Sequence, residues 1–195
     1  MKRQFLFLII TAIVMLLGNN RLFAHCDTMD GPVVKDAQKA IEKNNVNYVL
    51  KWVRAEDEKE ISDAFHLMMK VRPLSPDAKL LAEKYFFETL VRVHRSGEGM
   101  AFTGVKPSGT PVDEKILAAD KSVESGDLSA LEKMMPENQR PELTRRFKRV
   151  ESLKNFDVNN VKAGREYIEA YVQFFHYAEG ETEDHQDKHG GHTGH

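Results

Sequence analysis

A histidine, a cysteine and an aspartate follow one another at His25-Cys26-Asp27, directly after a stretch with the layout of a cleavable leader. Cutting the chain after Ala24 would turn the His25 nitrogen into a free α-amine. The reference pKa of such an amine is about 7.7–8, so a fair fraction is unprotonated near neutrality. That amine, the His25 imidazole, the Cys26 amide nitrogen and the Cys26 thiolate would then sit within two residues. Amine, amide and thiolate close adjacent five-membered chelate rings. Imidazole and thiolate together suit copper, nickel or zinc far better than calcium or magnesium. Asp30 adds a nearby oxygen donor.

Cys26 is the single cysteine of the chain, which excludes an internal disulfide. Lipid attachment calls for a small residue directly before the cysteine, and His25 stands there. The bland alternative is that His25 and Cys26 merely mark where a peptidase cuts. An unpaired exposed thiol in an oxidising compartment is a liability, which weighs toward a ligand.

The leader is read from the first residues. Lys2 and Arg3 form a basic start, 5–18 is an uninterrupted apolar run, and Ala24 offers a small residue before the cut. The run has 14 residues, short of the roughly 20 that a bilayer-spanning helix needs. Residues 1–24 are therefore expected to be a signal peptide and the mature chain to be periplasmic or secreted, not membrane-embedded. Losing Lys2, Arg3 and Arg21 takes the net charge from −2 to about −5, and nothing in that balance points to a nucleic-acid partner.

The elements that must position this N-terminus read as helices, so the fold class is all-α, a helical bundle over 25–180 behind a short metal hook. Periodicity and punctuation predict helices over 33–43, from about 46 to 54, and over 56–71. Ser75-Pro76-Asp77 opens a long one reaching residue 95. A glycine- and proline-rich loop over 96–111 is long enough to imply a job, such as covering a site with Glu98 as a donor. Further helices are expected over 112–124, 127–135, 141–156 and 158–179, the last stopping at Gly180. After it, 181–195 has no large apolar residue and is expected to be disordered. It carries His185, His189, His192 and His195, a composition that binds metals weakly.

Helical phase selects the internal candidates. Ile61, Phe65 and Met68 share a stripe that His66 opposes, so His66 is expected at the surface. Leu80, Phe87, Val91 and His94 share another, which directs His94 inward. Ile168, Val172, Phe175 and Glu179 fall within a sector of roughly 60°, with His176 beside it. His94, His176 and Glu179 are thus candidates to complete a metal site, although a lone histidine on an apolar stripe is more often a hydrogen-bonded core residue. No zinc-protease helix, nucleophile elbow, paired-cysteine zinc site or dinucleotide fingerprint is present.

His25-Cys26-Asp27-Thr28-Met29-Asp30-Gly31 resembles the N-terminal hook of nickel superoxide dismutase, whose pattern is His-Cys-Asp-x-x-Cys-Gly. That family consists of four-helix-bundle subunits assembled into a hexamer. The resemblance implies four ligands from His25 and Cys26, a possible homo-oligomer, and a small oxygen species as substrate. The family's second cysteine is Asp30 here, and a carboxylate is a harder donor than a thiolate. The departure favours copper or iron with bundle histidines in place of the missing sulfur. The whole chain also resembles a group of exported bacterial proteins of unknown function that begin HCDTMDGPVV, a likeness that supplies no activity.

These readings converge on an exported metalloprotein whose mature N-terminus chelates a transition metal, copper or nickel first, iron or zinc next. It is expected to act as a superoxide dismutase-like redox enzyme with His25, Cys26, Asp30, His94, His176 and Glu179 around the metal. The alternatives are a non-catalytic copper, nickel or zinc carrier, and a helical partner-binding protein with an incidental N-terminus.

Overall fold

The structure is a computed structural model that describes residues 25–180. The expected signal peptide over 1–24 and the His-rich tail over 181–195 lie outside the described residues. Within them the chain is all-helical, with one isolated parallel bridge between Thr28 and Lys106. The first four helices are α1 (Pro32–Lys43), α2 (Asn47–Leu50), α3 (Glu58–Val71) and α4 (Pro76–Gly97). After the long loop come α5 (Glu114–Ser125), α6 (Ser129–Met134), α7 (Arg140–Leu153) and α8 (Val161–Glu179).

Local chemistry sets most of the ends. Pro32 opens α1, which stops where Asn44 turns left-handed at φ 48°. Ser75 caps α4, its hydroxyl accepting from Ala78 N at 3.0 Å, with Pro76 at the first position. Asn160 caps α8, and Gly180 ends it at φ 96°, a conformation that glycine adopts without steric cost.

One expected helix is much shorter than its periodicity predicts. The segment expected to run to residue 54 leaves the α-helix after Leu50. Its carbonyls are claimed from outside: Arg165 donates to Leu50 O at 3.3 Å and Val53 O at 2.9 Å, and His94 Nδ1 donates to Trp52 O at 2.8 Å. These bonds replace the continuing helical ladder.

The long helices pair α3 with α4 and α7 with α8, while α1 lies on α4 and α5 on α8. Phe65, Phe86, Phe174, Ile61 and Met68 are fully enclosed between them. The stripe arithmetic holds for Phe87, Val91 and His94, all buried, and His66 is exposed as its phase requires. It fails for Leu80, which is 72% exposed because the first turns of α4 run out past the packed core. No helix among the described residues is long and apolar enough to cross a membrane.

Candidate metal centre at the N-terminal hook

Residues 25–31 double back tightly. Thr28 N and Oγ1 donate to His25 O at 3.3 and 3.1 Å, and Gly31 N donates to Thr28 O at 3.0 Å. A Cβ on residue 31 would stand 2.1 Å from His25 O, so the turn admits only glycine there. The 96–111 loop has the job its length implied, because it clamps this hook. Lys106 N donates to Asp27 O at 2.7 Å, and Met29 N donates to Lys106 O at 2.9 Å. Farther along, Gly109 N donates to Asp30 Oδ2 at 2.7 Å.

The clamp drives His25 into the bundle. Its ring lies parallel to Phe175 of α8, 6.4 Å between centroids with planes 7° apart. On α5, Asp120 Oδ2 makes a short hydrogen bond with His25 Nε2, and Asp120 Oδ1 accepts from Tyr171 OH at 2.6 Å. A carboxylate has only acceptors to offer, so Nε2 carries the hydrogen, and in the tautomer with that single N–H the lone pair lies at Nδ1. That Nδ1 is buried with no hydrogen-bond partner among the described residues. A metal-binding histidine almost always donates its other N–H to a carboxylate, carbonyl or water. Asp120 gives His25 that setting.

His25 and Cys26 form one side of a cavity of about 40 Å³. Glu98 and Arg95 close it at the end of α4, and Tyr171, Phe175, His176 and Glu179 of α8 form the far wall. Such a space holds one or a few water-sized molecules. The Cys26 thiol is raised well above its ordinary range, first by burial and then by the carboxylates of Glu98, Asp27 and Asp120; Arg95 opposes them. A raised thiol keeps its proton until something displaces it. Metal uptake is therefore expected to release a proton from Cys26 and to tighten as pH rises. Competition titrations between about pH 6 and 8 should show Cys26→Ser releasing about one proton fewer per metal than the wild type. Equal proton counts would remove Cys26 from the ligand set.

Behind the hook lies a buried charge cluster. Arg95 Nε is 3.4 Å from Asp27 Oδ1, and Arg95 donates to Glu98 Oε2 at 3.1 Å. Burial raises the Asp27 carboxyl, with Arg95 and then His94 pulling the other way. His94 donates Nδ1–H to Trp52 O, which turns Nε2 toward Glu98 Oε1 at 3.5 Å. Glu98 thus joins Arg95, His94 and the cavity.

The model of a family of unknown function, DUF6448, matches residues 30–177. The chain belongs to this family. No curated protein and no solved structure matches the chain. The DUF6448 match takes in Arg95, Glu98, Asp120, Tyr171 and His176, and it begins just after the hook's first five residues.

Of the six ligand candidates read from the sequence, this DUF6448 protein brings four to one cavity: His25, Cys26, His176 and Glu179. His94 is buried but stands behind Glu98, outside the cavity lining. Asp30 is not brought there; it is exposed and occupied with the clamp, its carboxyl lowered chiefly by the Gly109 N–H. Glu98 and Glu179 supply the carboxylates at the cavity instead. Asp120 and Tyr171 went unread, although each left a signal. Asp120 falls at helical spacing between Ile116 and Val123, an acid on an apolar stripe, and Tyr171 lies four residues before Phe175. Among the described residues no group of three or more His, Cys, Asp and Glu side chains is spaced to hold a metal ion. A metal held here must draw on the backbone nitrogens of residues 25 and 26 as well.

Proposed function

We propose that the chain is exported, cut after Ala24 and left in the periplasm or secreted, and that its new N-terminus holds a redox-active metal, copper or nickel, to dispose of superoxide or a related small oxygen species. The observation that carries this reading is the seating of His25. Its Nε2 is tied to Asp120 and its Nδ1 is buried without a hydrogen-bond partner among the described residues, next to a thiol and a small cavity. The resemblance of residues 25–31 to the nickel superoxide dismutase hook points the same way.

The free α-amine, His25 Nδ1, the Cys26 amide nitrogen and Cys26 Sγ would hold the metal, which supplies one-electron redox chemistry when bound. The chain's own contribution is then positional and protic. Tyr171 holds Asp120, and Asp120 holds the His25 ring, so the imidazole is oriented before any metal arrives. Glu98, His176 and Glu179 face the cavity and would hand protons to a reduced oxygen species. Ile116, Val172 and Phe175 give the cavity its apolar lining.

Stopped-flow superoxide decay on metal-loaded protein beginning at His25 tests the reading. Turnover is expected well above that of the same free ion. It should be lost on Cys26→Ser, which removes the soft anionic donor, and on adding one residue before His25, which converts the amine to an amide. Decay equal to that of the free ion in all three, with metal still held, leaves a carrier. Failure to retain metal sinks both.

A further inference from the structure

We infer that the outer face of the α3–α4 hairpin is a twofold interface at which two copies of this chain pair through antiparallel α4 helices. Seven large hydrophobic side chains are exposed among the described residues, and five of them belong to this hairpin and its turn. Leu74, Leu80 and Leu81 are 75%, 72% and 70% exposed, and Leu67 and Tyr85 about half. Monomeric soluble proteins rarely leave a contiguous apolar patch beyond about 300–600 Å² in water. Arg72 pins the hairpin by donating to Glu83 through both Nε and an outer guanidinium nitrogen, at 3.1 and 2.8 Å. The face is therefore offered by a braced element.

Charge selects the occupant. At about 100° per residue, Leu80, Lys84, Asp77, Glu88, Leu81 and Tyr85 fall in one sector of roughly 140°. Leucine and tyrosine flank a central row, Asp77, Lys84, Glu88, that alternates in sign. A membrane surface or nucleic acid would want that row basic. A second copy laid antiparallel wants what is there. A twofold axis passing between residues 80 and 81 brings Leu80 and Leu81 of the two copies together and sets Lys84 of each opposite Asp77 of the other, and an isologous contact must be self-complementary in this way. Within one chain Lys84 is only loosely paired with Glu88, at 4.0 Å, so it can turn outward to Asp77 of a partner.

At the edge of this face an apolar groove runs between Leu80, Phe87 and the hook residue Met29, with Val105 of the clamp loop beside it. The interface would thus abut the hook without using any of its donors.

Sedimentation velocity of the full mature chain at micromolar concentration should show a dimer. Leu80→Glu with Leu81→Glu should give a monomer with unchanged helical circular dichroism. Lys84→Glu alone should weaken the dimer at least about tenfold, by setting acid against acid. Lys84→Glu combined with Asp77→Lys should restore it, since the exchanged charges again face each other across the axis. A monomeric wild type overturns the proposal, as does a dimer indifferent to the leucine changes. Flotation of a monomeric wild type with anionic phosphatidylglycerol vesicles would assign the face to a membrane and overturn it equally. A charge-swapped double variant no better than Lys84→Glu alone overturns the antiparallel register.

Discussion

Gly31→Ala is expected to unseat the hook while leaving the helices standing. The added methyl carbon would lie 2.1 Å from His25 O, and that neighbour is backbone, with no flexible tip to swing aside. Either the turn at Thr28 opens or residue 25 backs out of its place against Phe175. Displacements near 1 Å at a positioned group cost about 10²-fold in rate, and a loss of metal affinity and superoxide turnover of at least that order is expected. A readout that needs no metal is hydrogen exchange at the amides of Met29 and Lys106, which bond to Lys106 O and Asp27 O in the intact clamp. Both should lose protection in the variant. Protection and affinity equal to the wild type would mean that the turn tolerates a side chain and that the hook geometry is wrong.

Arg95→Met should be the most destabilising single change near the site. Arg95 is 4% exposed, with Asp27, itself 3% exposed, on one side and Glu98 on the other. Removing the cation while keeping the bulk leaves two carboxylates facing a low-dielectric interior. Breaking buried pairs in this way costs about 3–5 kcal/mol, on the order of 10 °C in Tm for a chain of this size. Adding Asp27→Asn should recover part of the loss, because the stranded charge goes with it. A drop under about 1 kcal/mol would place the pair among surface ion pairs.

The helices were legible because their signals are local. Ser75-Pro76, Asn44 and Gly180 act on their own turns of helix, and burial of Ile61, Phe65 and Met68 follows from spacing alone. The misreading of α2 comes from chemistry arriving from distant sequence. Arg165 and His94 take the carbonyls that would have prolonged α2, and no periodicity announces that. Leu80 had the right phase on its helix, but phase says nothing about where the core ends along the axis.

The candidate site divides the same way. His25 and Cys26 were visible because adjacent donors can chelate without any fold. His176 and Glu179 could be placed from the phase of α8. Asp30 was misjudged because proximity in sequence stood in for direction: four residues beyond Cys26 it points to Gly109, and the cavity's carboxylates are Glu98 and Glu179. Asp120 lies 95 residues from His25. Only the crossing of α5 over α8 joins them.

The turn that Gly31 permits would also order the events of the proposed maturation. Proteases accept extended chain, whereas His25 in the closed hook is bent back over Thr28 with its ring among aromatic side chains. A peptidase arriving after closure would find its substrate already tucked away. If the proposed cut after Ala24 is made, it would belong to the interval before the hook closes, and a chain that folded first would keep a blocked nitrogen. On that proposal the glycine that makes the hook compact would act as a one-way latch on processing, and loading with metal would record that export and cutting came first.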